Sequence, residues 1–221
     1  MKPIVRKSKG FNGRVVNVKY TFTSTNAKTG NMIQQWITPE SWERDNRADK
    51  VDVKDSSEVC KDCPLMSTCY VKKGHALMGL KSSAKSKNYS VGCEKDNIEK
   101  FTDKFVRFGA FGEPVLAGQS ATEQVVQVAS SWTGYTHQWE NPKYGWSSKY
   151  FMASVEDVEG KRKANALGFR TFRVGSSLEE MTDDEVLCPA SKEAGRKVTC
   201  KDCKLCKGGS NKAKNIFIIK H

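Results

Sequence analysis

Eight cysteines fall into two groups of four: Cys60, Cys63, Cys69 and Cys93 in the first half of the chain, and Cys188, Cys200, Cys203 and Cys206 near its end. Four thiolates saturate one zinc ion or one iron–sulfur cluster, so the count predicts two metal centres. In the second group Cys200, Cys203 and Cys206 follow one another at Cys-x-x-Cys intervals, and Cys188, followed by Pro189, comes from a distant segment. Three closely spaced thiolates plus a remote Cys-Pro is the ligand pattern of a cubane [4Fe–4S] cluster, although ferredoxins place the Cys-Pro after the run and this chain places it before. Zinc gripped by Cys-x-x-Cys knuckles is the alternative at either site. The first group reads Cys60-Lys61-Asp62-Cys63-Pro64, then Cys69, then Cys93 beyond a basic segment. With Cys93 as the fourth ligand the site is closed and structural. Without it, three thiolates leave a position open to a substrate or cofactor. The competing reading makes Cys93 an ordinary buried thiol.

Acid–base groups sit at matching places between the two cysteine segments. Glu113 follows one strand candidate, His137 ends the next, and Ser154 and Glu156 close the one after, so all four are expected on one rim. A carboxylate, an imidazole and a hydroxyl beside a metal support proton transfer, which makes Glu113, His137 and Glu156 the candidate catalytic residues. Each has a structural alternative: Glu156 suits the first turn of a helix, Ser154 or Ser120 can cap one, and a lone histidine can be a satisfied structural residue. His75, in Lys72-Lys73-Gly74-His75, reads as part of an exposed basic loop, and His221 is terminal. No Gly-rich phosphate loop, His-Glu-x-x-His or nucleophile elbow occurs, and Gly109, Gly112 and Gly118 have turn spacing. Nucleotide hydrolysis and Rossmann-type dinucleotide use are therefore disfavoured, and no His-x-Glu precedes a Pro-Cys-x-x-Cys of the deaminase kind.

The elements that position these groups alternate in type. Arg14–Phe22 alternates Val16, Val18, Tyr20 and Phe22 against Asn17, Lys19 and Thr21, which predicts a half-buried strand. A polar turn around Lys28-Thr29-Gly30-Asn31 and the segment Met32–Ile37 complete an N-terminal β-hairpin, stopped by Pro39. Arg44–Glu58 is charged and reads as an exposed linker. Further on, strands are expected at Phe105–Phe108, Tyr135–Gln138, Tyr150–Val155, Phe169–Val174 and Ile216–Ile219. Helices are expected from the Ser120-Ala-Thr-Glu123 capping box through Trp132 to Gly134, and over Glu156–Leu167 up to Gly168. Strands separated by helices of this length require crossovers and a largely parallel sheet. The organisation is thus residues 1–59 as hairpin and linker and residues 60–221 as an α/β metal-binding domain, with cysteine segments 60–93 and 188–206.

The 221 residues, 38% of them apolar, are enough for a real core, so metal is not needed merely to offset small size. The basic Met1–Gly10 stretch lacks the apolar run of a secretory signal, and no run of about 18 apolar residues is present to span a bilayer. A soluble, cytoplasmic protein without a membrane partner is expected, and in a reducing compartment the cysteines favour metal over disulfides. The net charge of +12 makes nucleic acid the natural partner for Lys and Arg that displace counterions from phosphate. A solvated basic surface, or one that meets a host protein, is the alternative.

Five motifs together resemble a family of small cysteine-rich phage and plasmid proteins that look like reduced relatives of radical-SAM barrels. They are Cys60-x-x-Cys63-Pro64-x4-Cys69-Tyr70, Arg107-Phe-Gly-Ala-Phe-Gly-Glu113-Pro114, Gly134-Tyr-Thr-His137, Met152-Ala-Ser-Val155-Glu156, and Cys188-Pro189-Ala190 with Thr199-Cys200-x-x-Cys203-x-x-Cys206. The likeness runs from Cys60 to His221 and leaves the N-terminal strands uncovered. It implies an incomplete (β/α) barrel with a parallel sheet, and the first cysteines above the C-terminal strand ends. Radical-SAM enzymes use Cys-x3-Cys-x2-Cys where this chain has Cys-x2-Cys-x5-Cys, so S-adenosylmethionine cleavage does not carry over. The expected function is that of an iron–sulfur metalloprotein acting on or near nucleic acid. The alternative is a non-catalytic, zinc-stabilised protein that binds nucleic acid or a host protein.

Overall fold

A computed structural model describes residues 1–44, 56–61, 63–69, 71, 89–209 and 213–220. Most of the Arg44–Glu58 linker, the basic stretch with His75, and His221 lie outside these residues. The chain is a mixed α/β protein with two sheets. Its strands are β1 (Ile4–Lys9), β2 (Val15–Thr21), β3 (Ile33–Pro39), β4 (Ser90–Val91), β5 (Phe105–Phe111), β6 (Ser131–Thr133), β7 (Tyr135–Thr136), β8 (Met152–Val155), β9 (Thr171–Gly175), β10 (Glu185–Leu187) and β11 (Asn215–Ile219). The first sheet has the order β4-β1-β2-β3-β5-β6 and the second β10-β11-β9-β8-β7. Pairings β1–β2 and β2–β3 are antiparallel, and every other pairing is parallel. The helices are α1 (Ser41–Arg44), α2 (Ser57–Cys60), α3 (Gln119–Val128), α4 (Val158–Ala166) and α5 (Cys200–Cys203).

The hairpin forms as its alternation requires, but β2 is buried on both faces rather than one. Asn17 and Lys19 are as enclosed as Val16 and Val18. Their polar ends are satisfied locally: the Lys7 ammonium donates to Asn17 Oδ1 at 2.7 Å, and Lys19 lies over the Tyr89 ring. The basic N-terminus, in which charge masks the pattern, supplies β1 on the other side of β2. Buried Glu94 accepts from Arg6 Nε at 2.6 Å and from the Tyr20 hydroxyl at 3.0 Å, and Gln35 donates to that hydroxyl. This network closes the outer half of the first sheet without leaving a buried charge alone.

Two helix expectations need correction. The helix expected through Trp132 ends at Val128, because Ala129 is extended and the Ser130 amide donates to the Lys104 carbonyl, drawing the chain into β6 beside β5. Its N-cap is Gly118, at φ 87°, not Ser120. The second helix starts at Val158, capped by Asp157, whose Oδ1 accepts from the Gly160 amide at 2.6 Å. Glu156 therefore precedes the helix and is not part of its first turn.

Residues 131–136 link the sheets: β6 pairs with β5, Gly134 turns the chain, and β7 pairs with β8. Gly134 is required there by space, since a Cβ would stand 2.5 Å from Phe151 Cδ1. Among the described residues no helix is long and apolar enough to cross a membrane.

Candidate metal centre and cavity

The parallel strands β5, β7 and β8 end together, and the residues just beyond them are Glu113, His137 and Glu156. Gly112, at φ 74°, packs so closely on Ile37 that a Cβ would meet its carbonyl oxygen at 2.6 Å, and this fixes the turn that aims Glu113 inward. Buried Glu113 accepts from the Thr136 hydroxyl at 2.7 Å and from the His137 amide at 2.9 Å, while its own amide donates to the Val59 carbonyl at 2.8 Å. The last bond ties the rim to α2, which carries Cys60. The His137 ring lies between two carboxylates, with Nδ1 3.4 Å from Glu113 Oε1 and Nε2 3.3 Å from Glu156 Oε1. Glu156 Oε1 is off the ring N–H direction and is buried without a hydrogen bond, so the contact is an ion pair of the imidazolium. Nε2 is also 3.9 Å from Cys63 Sγ. Burial alone would lower the His137 pKa, but contacts with Cys63, Glu113 and Glu156 outweigh it and raise it to about 12.

Cys60, Cys63 and Cys69 share this rim. Burial, reinforced by the Glu113 charge, pushes the Cys60 thiol up to about 12, and Cys63 and Cys69 are near enough to push in the same direction. Cys93 is not brought to them. It follows β4, with four strands between β4 and β6, and its thiol donates to Asp96 Oδ2 at 3.0 Å. Ser154 lies in β8 and lines the cavity beneath the rim.

The run Cys200–Cys206 lies by the starts of β5, β7 and β9, with Lys201 over Phe105, the Gly134 amide donating to the Cys206 carbonyl and Arg170 donating to the Leu205 carbonyl, and Cys188, which follows the end of β10, is buried in one cluster with Cys206. Burial pushes the Cys206 thiol well up, a hydrogen bond with Tyr135 acts the other way, and charge on Cys188, Cys200 or Cys203 would push it further. Cys188 and Cys206 are buried in an apolar cluster with Met152, Ile216 and Ile218. The loop that carries the group is fixed from several sides. Arg170 donates to the carbonyls of Leu205, Lys207, Ala213 and Lys214. Thr199 and Asp202 form a capping box on α5. The amides of Cys200 and Lys201 donate to the carbonyls of Lys28 and Thr29 in the hairpin turn.

Between the two groups runs a cavity of about 500 Å³. Cys60, Cys63, Cys69, Glu113 and His137 line one end and Cys200, Arg107 and Lys28 also face it, with Phe172, Val174 and Ile218 forming apolar wall. Its size and its mostly apolar lining with a few polar groups are those of a small-molecule site.

Among the described residues no three His, Cys, Asp or Glu side chains stand close enough to hold one metal ion. A tetrahedral Zn–thiolate site needs sulfurs about 3.8 Å apart, from Zn–S bonds of about 2.3 Å.

Sequence reasoning missed Arg170, Lys28 and Tyr135 as supports of the second group. Nothing in their local pattern marks them, although Tyr135 belongs to the Gly134–His137 motif. No family model matches this chain, and neither the curated proteins nor the solved structures contain a match to it.

Proposed function

We propose that this chain is an iron–sulfur metalloprotein with a reactive centre at the Cys60, Cys63 and Cys69 rim and a structural centre at Cys188, Cys200, Cys203 and Cys206. On this reading the two sheets, joined through residues 131–136, act as an incomplete barrel whose lumen is the cavity. The observation that carries the proposal is the cavity itself, with thiols facing it from both ends and the Glu113–His137–Glu156 group at one of them.

The three rim thiols would hold a cluster by three irons, and Cys93, which bonds Asp96, is not beside them to take the fourth. A cluster bound there supplies one-electron chemistry or an open iron for a ligand. His137 holds a proton at Nε2, 3.9 Å from Cys63 and facing the cavity, and Glu113 orients the ring through the backbone and Nδ1. Glu156 balances the imidazolium charge. Phe172, Val174 and Ile218 give the space where a substrate would lie an apolar wall.

Anaerobic purification with iron, sulfide and zinc analysis tests this reading. Iron and acid-labile sulfide with a brown visible spectrum are expected, and Cys63→Ser should remove only the rim share. Two equivalents of zinc with no chromophore would overturn the proposal in favour of a zinc-stabilised binding protein. The tight seating of the second group by Arg170 favours that second reading for its own site.

A further inference from the structure

The lysines of the second cysteine segment do not face the rim. Lys201 and Lys204 lie over the Phe105 ring, 5.3 and 5.1 Å from its centroid, and Lys207 lies 5.1 Å over Trp132. Phe105 opens β5, and Trp132 lies in the short β6 at its side, so both rings mark the N-terminal edge of the parallel strands. Glu113 lies just beyond the other end of β5. Seven residues of extended chain separate the two edges by about 20 Å. Both edges bear thiols, but the carboxylates Glu113 and Glu156 stand at one and the lysines of the cysteine run at the other.

The basic edge has a regular form. Lys201, Lys204 and Lys207 recur every third residue, each following a cysteine of the run or its neighbour in Cys200-Lys-Asp-Cys203-Lys-Leu-Cys206-Lys. Residues 190–209 hold six cations, Lys192, Arg196, Lys197, Lys201, Lys204 and Lys207, against Glu193 and Asp202, a net +4. Asp202 is turned back into its capping box, accepting from the Thr199 hydroxyl at 2.6 Å. The ammonium groups themselves lie over the aromatic faces, and Lys204 and Lys207 keep solvent exposure. Three ammonium groups gathered over two half-buried rings match a single nucleic-acid strand, whose phosphates attract the cations and whose unpaired bases can take a lysine's place on an aromatic face. An acidic protein offers carboxylates and has no use for the rings.

We propose that Lys201, Lys204 and Lys207, with Phe105 and Trp132, form a docking face for single-stranded nucleic acid on the side of the molecule opposite the rim. Nucleic acid held there is an anchoring partner and not the molecule in the cavity. The lysines alternate with the thiols, so a metal at the second group sets their spacing; this part rests on the metal reading above, whereas the lysine face itself does not.

The test uses the full chain and a labelled single strand of about 16 nucleotides, titrated across a range of salt. Replacing all three lysines by glutamine should weaken binding at least about tenfold and reduce the slope of log affinity against log salt by about 2. His137→Ala, at the rim, should leave binding unchanged. A triple variant that keeps its melting temperature, its affinity and its salt slope overturns the face. Tighter binding of the duplex, or equal displacement by polyglutamate of matched charge, overturns the single-strand assignment. Loss of binding in His137→Ala overturns the separation of docking from chemistry. If the triple variant loses binding while metal removal changes nothing, the docking face stands and only its link to the metal fails.

Discussion

Arg173 and Glu185 are among the most enclosed charges in the protein, and they survive because each satisfies the other. Arg173 Nε and Nη2 donate to the two Glu185 oxygens at 2.8 and 2.7 Å, and Nη2 also reaches the Glu180 carbonyl. The guanidinium lies 4.6 Å over the Phe217 ring, which fixes its plane. Removing one partner strands the other, so Arg173→Met should cost about 3–5 kcal/mol in urea denaturation, and Arg173→Met with Glu185→Leu should recover most of it. Burial would raise the Glu185 pKa, but the Arg173 and Thr182 bonds outweigh that and hold it below the usual range. A depressed carboxylate contributes stability that is complete above its unfolded value, about 4.3, and is lost as pH falls through the folded value. Melting temperature should thus fall between about pH 5 and about pH 3, and that part of the fall should vanish in the double variant. The rim residues follow a similar logic: Glu113, although enclosed, meets a hydroxyl, an amide and an imidazole.

At the scale of elements, the second cysteine loop is held by Arg170, which immediately precedes β9 and collects carbonyls from both sides of residues 210–212. Burial lowers the Arg170 pKa, but an arginine starts so high that it keeps its charge. Replacing it with methionine leaves those carbonyls without a donor. Arg170→Met should lower stability by about 2–4 kcal/mol and expose Lys204, Lys207 and Lys214 to trypsin before the rest of the chain. Unchanged melting and an unchanged digestion order would show that the loop does not depend on the clamp. The residue 131–136 link is a second device of this kind. Gly134→Ala drives a methyl into Phe151 and Phe108, and a loss of about 1–3 kcal/mol is expected in the same assay.

At the scale of the whole molecule, thiols of both cysteine groups face one cavity. Metal that binds the folded chain stabilises it by mass action, about 4 kcal/mol when its concentration exceeds the dissociation constant a thousandfold. Stripping the chain anaerobically with a chelator should therefore lower the melting temperature, and Cys206→Ser should abolish most of that dependence because Cys206 is buried with Cys188. A melting temperature indifferent to chelation would count against metal at the buried group.

The residue types and their periods carried part of this structure unaided. The β2–β3 hairpin, strands β5, β7, β8, β9 and β11 and the rim positions of Glu113, His137 and Glu156 follow from alternation, turn residues and helix–strand succession, which are local properties, whereas β6 and β10 do not. Boundaries shifted where tertiary bonds overrode propensity, as at Trp132, taken from a helix into β6 by pairing with β5. Strand β1 was hidden by its charges, which pair with partners far along the chain, Arg6 with Glu94 for one. Eight cysteines at those spacings declare two groups, but not their membership. Only the fold decided that three strands separate β4, which Cys93 follows, from β5, whose end carries Glu113, that Cys188 is buried beside Cys206, and that thiols of both groups face one cavity. Thiolate spacing in sequence constrains only a loop, whereas membership in a site depends on which strands become neighbours, and that is settled by long-range pairing.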